Sequence, residues 1–314
     1  MNDPVSRRQL LKKIPLLALS TAAAAGMLSA CSSHRRPPRS PSGPTPTTFS
    51  EIASATAPPA TASASPVAAD TAATTQASIR MQSPDTYADA VPTTFGVSMP
   101  GIVDAVPTTP GVRTIALTFD ACNGAFDAAL IDTLRQYRVP ATLFLAQPWI
   151  AEHADLTREL ATDPLFRLEN HGTRHLPLTV NGASAYGIPG TSSPAEAIAE
   201  IVGNAETLAH YGVRTTWFRA GTAHYDDVAV RIASDGGVKI AGFSVNGDYG
   251  ATASAAEVAV AIEQAPDGAI VLAHMNHPSS GTAAGVRTAL TNLQGESVRF
   301  AFLDGTSPVS TPQL

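Results

Sequence analysis

From Arg113 onward, short apolar runs alternate with amphipathic stretches, and this restricts the chain to folds built from βαβ units. Strands are expected at Thr114 to Phe119, Ala141 to Ala146, Phe166 to Leu168, Thr215 to Phe218, Val238 to Val245, Ala269 to Ala273 and Val298 to Leu303. Between them, Phe126 to Tyr137 puts Leu130, Leu134 and Tyr137 on one helical face and stops before Pro140. A second helix, Ala195 to Tyr211, follows Ser193-Pro194, a cap and a first-turn proline. Seven such strands predict an α/β barrel or a doubly wound sheet, and in both the C-terminal edge of the strands carries the active site. Ionisable residues fall just there: Asp120, then His171 and His175, then Arg219, Asp248 and His274.

The N-terminus reads as an address. Ser6-Arg7-Arg8-Gln9-Leu10-Leu11-Lys12 precedes an apolar stretch from Ile14 to Ala30, broken by Pro15, Ser20 and Gly26, and then Cys31. This is the pattern of a signal peptide. The paired arginines resemble the twin-arginine export signal, and Leu28-Ser29-Ala30-Cys31 resembles a bacterial lipobox. In that reading residues 1–30 are removed, the Cys31 thiol is acylated, and the protein faces the periplasm or cell exterior on a membrane. Between Pro41 and Arg80, 31 of 40 residues are Ala, Ser, Thr or Pro, a composition that cannot bury a core. Residues 31–105 are therefore expected to be a disordered linker and N-terminal arm, with 106–314 the catalytic domain. The chain also holds a short duplication, Asp89-Ala90-Val91-Pro92-Thr93-Thr94-Phe95-Gly96-Val97 against Asp104-Ala105-Val106-Pro107-Thr108-Thr109-Pro110-Gly111-Val112, which is too short for a solenoid and is assigned no chemistry. Up to Ala105 there are 8 Lys/Arg against 6 Asp/Glu, and beyond it 12 against 20, so nothing favours nucleic acid as a partner. Two cysteines, Cys31 and Cys122, make no disulfide framework.

The chemistry lies in the strand-end residues. His171-Gly172-Thr173-Arg174-His175 spaces two imidazoles four apart, and one helical turn would bring both to one side to hold a divalent metal. Asp120 offers a carboxylate as ligand or general base, or as a helix cap. Arg219 is always charged and suits a carboxylate partner. His274 is a candidate general acid, since only histidine titrates near neutral pH unperturbed.

Thr118-Phe119-Asp120, His171 with His175, Arg219 before a Gly-containing loop, Asp248-Tyr249 and Leu272-Ala273-His274 occur in the order and spacing of a known family. The segment from about Thr114 to Leu303 resembles the NodB-type polysaccharide deacetylases, carbohydrate esterase family 4. The resemblance implies a distorted (β/α) barrel, a divalent metal such as Zn²⁺, and hydrolysis of acetyl groups from N-acetylated sugars of peptidoglycan, chitin-like polymers or poly-N-acetylglucosamine. It further implies that His171 and His175 bind the metal, Asp120 is the base and His274 the acid. Arg219 would orient Asp120, and Asp248 would pair with Arg219. A backbone N–H near Thr222 would hold the oxyanion, and Leu272 with Tyr249 would line the acetyl pocket. Ala121 departs from the pattern, standing where a second aspartate usually ligates metal. The third ligand is expected to be Asp120, with a Cys122 thiolate or Asn123 as other donors; Cys122 otherwise reads as a small buried thiol. Ala220-Gly221-Thr222 and Tyr249 also depart from the usual pocket wall.

Gly242-Phe243-Ser244-Val245-Asn246-Gly247 lacks the spacing of a serine-hydrolase elbow, and no dinucleotide or phosphate loop is present. The competing readings are a same-fold amidase on a non-sugar amide, an O-acetyl esterase, and a wall-binding module that has lost catalysis.

Overall fold

The computed structural model of the protein describes residues 79–309. The signal, lipobox and Cys31 expectations, and the linker up to residue 78, lie outside the described residues. The described chain runs β1 (Phe95–Gly96), β2 (Ile102–Val103), β3 (Arg113–Ala121), α1 (Ala128–Tyr137), β4 (Ala141–Leu145), α2 (Gln147–Glu152), α3 (Ala154–Thr162), β5 (Phe166–Asn170), α4 (Pro194–Ala209), β6 (Trp217–Phe218), β7 (Tyr225–Asp226), α5 (Asp227–Asp235), β8 (Lys239–Ala241), β9 (Val245–Asn246), α6 (Ala255–Glu263), β10 (Ala269–His274), α7 (Thr282–Asn292) and β11 (Val298–Phe300). Among the described residues no helix is long and apolar enough to cross a membrane.

The main sheet follows the order β2-β8-β6-β5-β4-β3-β10-β9, with β11 also on β3, and every pairing in it is parallel. The ladder curls without closing, an open form of the expected (β/α) barrel. Alternation along β3 sets the two faces. Ile115, Leu117, Phe119 and Ala121 join the apolar layer under the helices, with Leu130 and Leu134 of α1, Ile262 of α6 and Leu290 of α7. Ala116 joins Phe144, Trp217, Ala241 and Ile270 on the inner face. Thr118 and Asp120 share that inner parity, so the strand itself aims Asp120 into the barrel.

Local chemistry fixes the helix ends. Asp127 caps α1 by accepting from Leu130 N, and Arg138 ends the helix in a left-handed conformation two residues before Pro140. Ser193 caps α4 ahead of Pro194. Ser254 and Glu257 form a reciprocal capping box on α6.

Two differences from the sequence reading concern the arm and the strand expected at Val238 to Val245. That strand is two pieces, β8 and β9, with β8 paired to β2 of the arm and β9 to β10. Gly242 N–H donates to Val103 O at 2.8 Å between them, so the arm occupies the break. The folded unit also begins earlier than Val106: Tyr87 is buried with its hydroxyl donating to Asp235 at 2.8 Å, and β1 pairs antiparallel with β7. Two-residue strands carry no periodic signal, which hid them.

Glu169 on β5 accepts from Thr216 N and Trp217 N, both at 2.9 Å, and from the Thr216 hydroxyl, tying the chain into β6. Burial outweighs these bonds and pushes its carboxyl from 4.5 to about 7. The folded state then binds more protons than the unfolded one between those values. Stability therefore falls as pH rises from about 4.5 to 7, by on the order of 3 kcal/mol. Glu169→Gln keeps an acceptor for both N–H groups and removes the charge. It is expected to flatten the pH dependence of denaturant midpoints in that window and to raise stability at pH 8. An unchanged pH slope would count against this assignment.

Candidate active site

Parallel register delivers the polar residues to one edge. His274 ends β10 directly opposite Asp120 on β3, His171 follows β5, Arg219 follows β6, and Asp248 follows β9. Asp120, His171 and His274 line a cavity of about 530 Å³ together with Cys122 and His175, and Arg219 and Asp248 lie buried behind them.

Arg219 is fully buried and spends each donor group on the barrel. Nη1 donates to Asp120 Oδ1 at 2.8 Å and Thr118 Oγ1 at 2.9 Å, Nη2 to Gly242 O at 3.0 Å, and Nε to Ala241 O at 3.2 Å. Its guanidinium also lies 4.3 Å from the Phe144 ring centroid. Burial alone would raise the Asp120 carboxyl, but the positive charge of Arg219, with His171 and His274, overcomes it and holds the group below its usual range.

Asp248 does not pair with Arg219, the one arrangement the resemblance implied that the structure replaces. Its Oδ1 lies 2.9 Å from His274 Nδ1, while Oδ2 accepts from His274 N at 2.7 Å and Thr282 Oγ1 at 2.9 Å. The pairing of β9 with β10 puts Asp248 beside β10, not β6. Burial opposes charge on His274, and its hydrogen bonds to Asp248 and Cys122 outweigh it, pushing the imidazole up to about 10. His274 Nδ1–H donates to Asp248, whose carboxylate favours the charged ring.

The two histidines meet through a loop, not a helical turn. Gly172 has φ of +92°, His175 has φ of +60°, and the ring centroids are 4.7 Å apart. A side chain at Gly172 would run into Glu200 Oε1. Buried Glu200 in turn accepts from Arg174 N at 3.0 Å and Leu176 N at 3.1 Å, so one carboxylate fixes the backbone on both sides of His175. His171 Nδ1 lies 2.8 Å from Arg219 O, a carbonyl that only accepts, so Nδ1 carries the proton and Nε2 is directed at the cavity.

Three ligand atoms converge there: Cys122 Sγ and one nitrogen each from His171 and His175 lie within 4.8 Å of one another. Asp120, the expected third ligand, stands outside this group, with Oδ1 on Arg219 and Oδ2 3.6 Å from His171 Nε2. Cys122 is half-buried, its Sγ 3.7 Å from His171 Nε2. Burial works against a charged thiol, but the histidines around it outweigh burial and hold it well below the ordinary range, the thiolate form that metals bind. Two imidazoles, a thiolate and an open side toward the cavity are a donor set that fits a zinc-like ion.

The cavity wall holds Leu272 and Thr222, the latter in a left-handed conformation (φ 64°) with its hydroxyl buried and unpartnered. Tyr249 at the rim is 65% exposed. Sequence reading missed Tyr186, 84% exposed and edge-on to His224, and Val97 from the arm, both on the same cavity.

The polysaccharide deacetylase family model matches residues 108–241, a span that includes Asp120, the two histidines and Arg219 and stops short of Asp248 and His274. No curated protein matches the chain. Several solved structures share its fold. A family 4 carbohydrate esterase from Streptomyces lividans, in complex with acetate, is 20% identical with a TM-score of 0.53, over 63% of this chain and 98% of that one. The Bc1960 peptidoglycan N-acetylglucosamine deacetylase is 20% identical with a TM-score of 0.54, over 65% of this chain and 92% of that one. A family 4 pseudoenzyme from Bacillus anthracis is 22% identical with a TM-score of 0.51, over 63% of this chain and 68% of that one. By fold the protein is thus a NodB-type (β/α) barrel of the kind the family 4 carbohydrate esterases have. Its residues 108–241 carry the polysaccharide deacetylase sequence pattern.

Proposed function

We propose that the protein is a metal-dependent deacetylase acting on N-acetylated sugars of a cell-envelope or extracellular polysaccharide. One observation carries this reading: Asp120, held by Arg219, and His274, held by Asp248, face the same cavity as three metal-capable donors.

His171 and His175 would hold a divalent ion, whose contribution there would be Lewis acidity: a water pKa lowered to about 7 and stabilisation of charge on an acyl oxygen. Asp120 Oδ2, the oxygen not engaged by Arg219, accepts the proton of the attacking water. The new carbon–oxygen bond forms at the acetyl carbon as the carbonyl π bond opens to an oxyanion, and collapse of that oxyanion breaks the carbon–nitrogen bond. His274 gives its proton to the departing amine, which could not leave as an anion, and Asp248 stabilises the charge His274 carries beforehand. Leu272 and Tyr249 line the acetyl side of the cavity, with Thr222 beside them as the oxyanion donor. A proton available at His274 matters more for amide than for ester cleavage, because an ester leaving group needs less acid help.

The N-terminal pattern supports an exported protein, cleaved before Cys31 and tethered to a membrane by lipid on that residue. The Ala/Ser/Thr/Pro-rich segment would let the catalytic domain reach substrate polymer away from the surface.

The test is a substrate panel: acetate and free amine are measured after the full chain, loaded with zinc, meets peptidoglycan, chitin oligosaccharides, poly-N-acetylglucosamine and O-acetylated xylan. Acetate with matching free amine from at least one N-acetylated glycan is expected. Release from the xylan alone would replace the amidase reading by an esterase, and release from none would leave a binding module.

A further inference from the structure

We propose that Cys122 is the third protein ligand of the metal, making the site a two-histidine, one-thiolate centre. This rests on the metal-dependent reading above and concerns which residues of this chain make the centre.

Position 121 supplies no donor: Ala121 is fully buried in the apolar cluster with Leu117 and Phe119. Cys122 is the next residue of Asp120's parity, and its sulfur is the third atom of the converging group. Its loop is clamped on three sides. Asn276 Nδ2 donates to Asn123 O at 2.8 Å, His153 Nε2 to Gly124 O at 2.7 Å, and Trp149 Nε1 to Ala125 O at 3.1 Å. Asp120 stays free of the ion's first coordination, held by Arg219 as a base. A thiolate in the set selects soft and borderline ions, zinc and cobalt(II), over magnesium, calcium and manganese.

The test uses the full chain loaded with Co²⁺ and read by absorption. A sulfur-to-cobalt charge-transfer band in the near ultraviolet is expected. Zinc should abolish it stoichiometrically while magnesium leaves it unchanged. Cys122→Ser should lose the band, and Cys122→Asp should bind cobalt without it, showing that the fold survives. Cobalt bound without the band in the wild type would overturn the proposal, as would no cobalt binding at all. The two readings fail separately: a band without acetate release from any N-acetylated glycan sinks the deacetylase and leaves the centre, and acetate release without a band does the reverse.

Discussion

Replacing Arg219 by methionine is expected to destabilise the native state by about 3–5 kcal/mol and to abolish hydrolysis. Methionine fills much of the volume and keeps contact with Phe144, so the loss is electrostatic. It strands the Asp120 carboxylate, 3% exposed, without the guanidinium that keeps it charged, and leaves Gly242 O and Ala241 O without their donors. Against a total stability of about 5–15 kcal/mol this is a large fraction. Adding Asp120→Asn removes the stranded charge, so the double variant should regain part of the stability in urea melts and none of the activity. An Arg219→Met protein within about 1 kcal/mol of wild type would show that the buried pair is not what holds the inner face together.

The largest catalytic effect belongs to His274→Ala. Amide cleavage should fall by about 10²–10⁴-fold, while hydrolysis of an activated aryl acetate, whose leaving group needs no proton, should stay close to wild type. The structure sharpens this beyond general acid catalysis. Asp248 keeps the N–H of residue 274 and the Thr282 hydroxyl but loses its imidazole partner, so a stability loss is expected too, and both activities are compared on protein shown to be folded by its urea melt. Equal loss on both substrates would remove His274 from the acid role and point to a positional effect on the cavity floor.

The strand-and-helix alternation was legible because long parallel strands bury both faces. β3, β4, β10 and the helices α1 and α4 fall within a few residues of their expected positions. The strand-end placement of Asp120, His171, Arg219, Asp248 and His274 was legible for the same reason, since the C-terminal edge follows from topology. Partnership was not. Whether Asp248 faces Arg219 or His274 depends on the strand order β3-β10-β9, which no local pattern encodes. The helical turn expected over His171 to His175 fails at Gly172, whose left-handed backbone and contact with Glu200 belong to a loop. Cys122 could have been found: in Thr118-Phe119-Asp120-Ala121-Cys122 the period of two puts residues 118, 120 and 122 on one face and Ala121 on the other. The arm escaped notice because Tyr87, Val97 and the two-residue β1 and β2 act through long-range contacts.

The central claim is that this barrel removes acetyl groups with a metal held by His171 and His175, and the most direct measurement is acetate release by the full chain before chelation, after it, and after zinc is returned. Release from an N-acetylated glycan that stops on chelation, returns with zinc, and is absent from His171→Ala is the expected result. Release that persists in metal-stripped protein, or none from any N-acetylated glycan with zinc bound, would contradict the account.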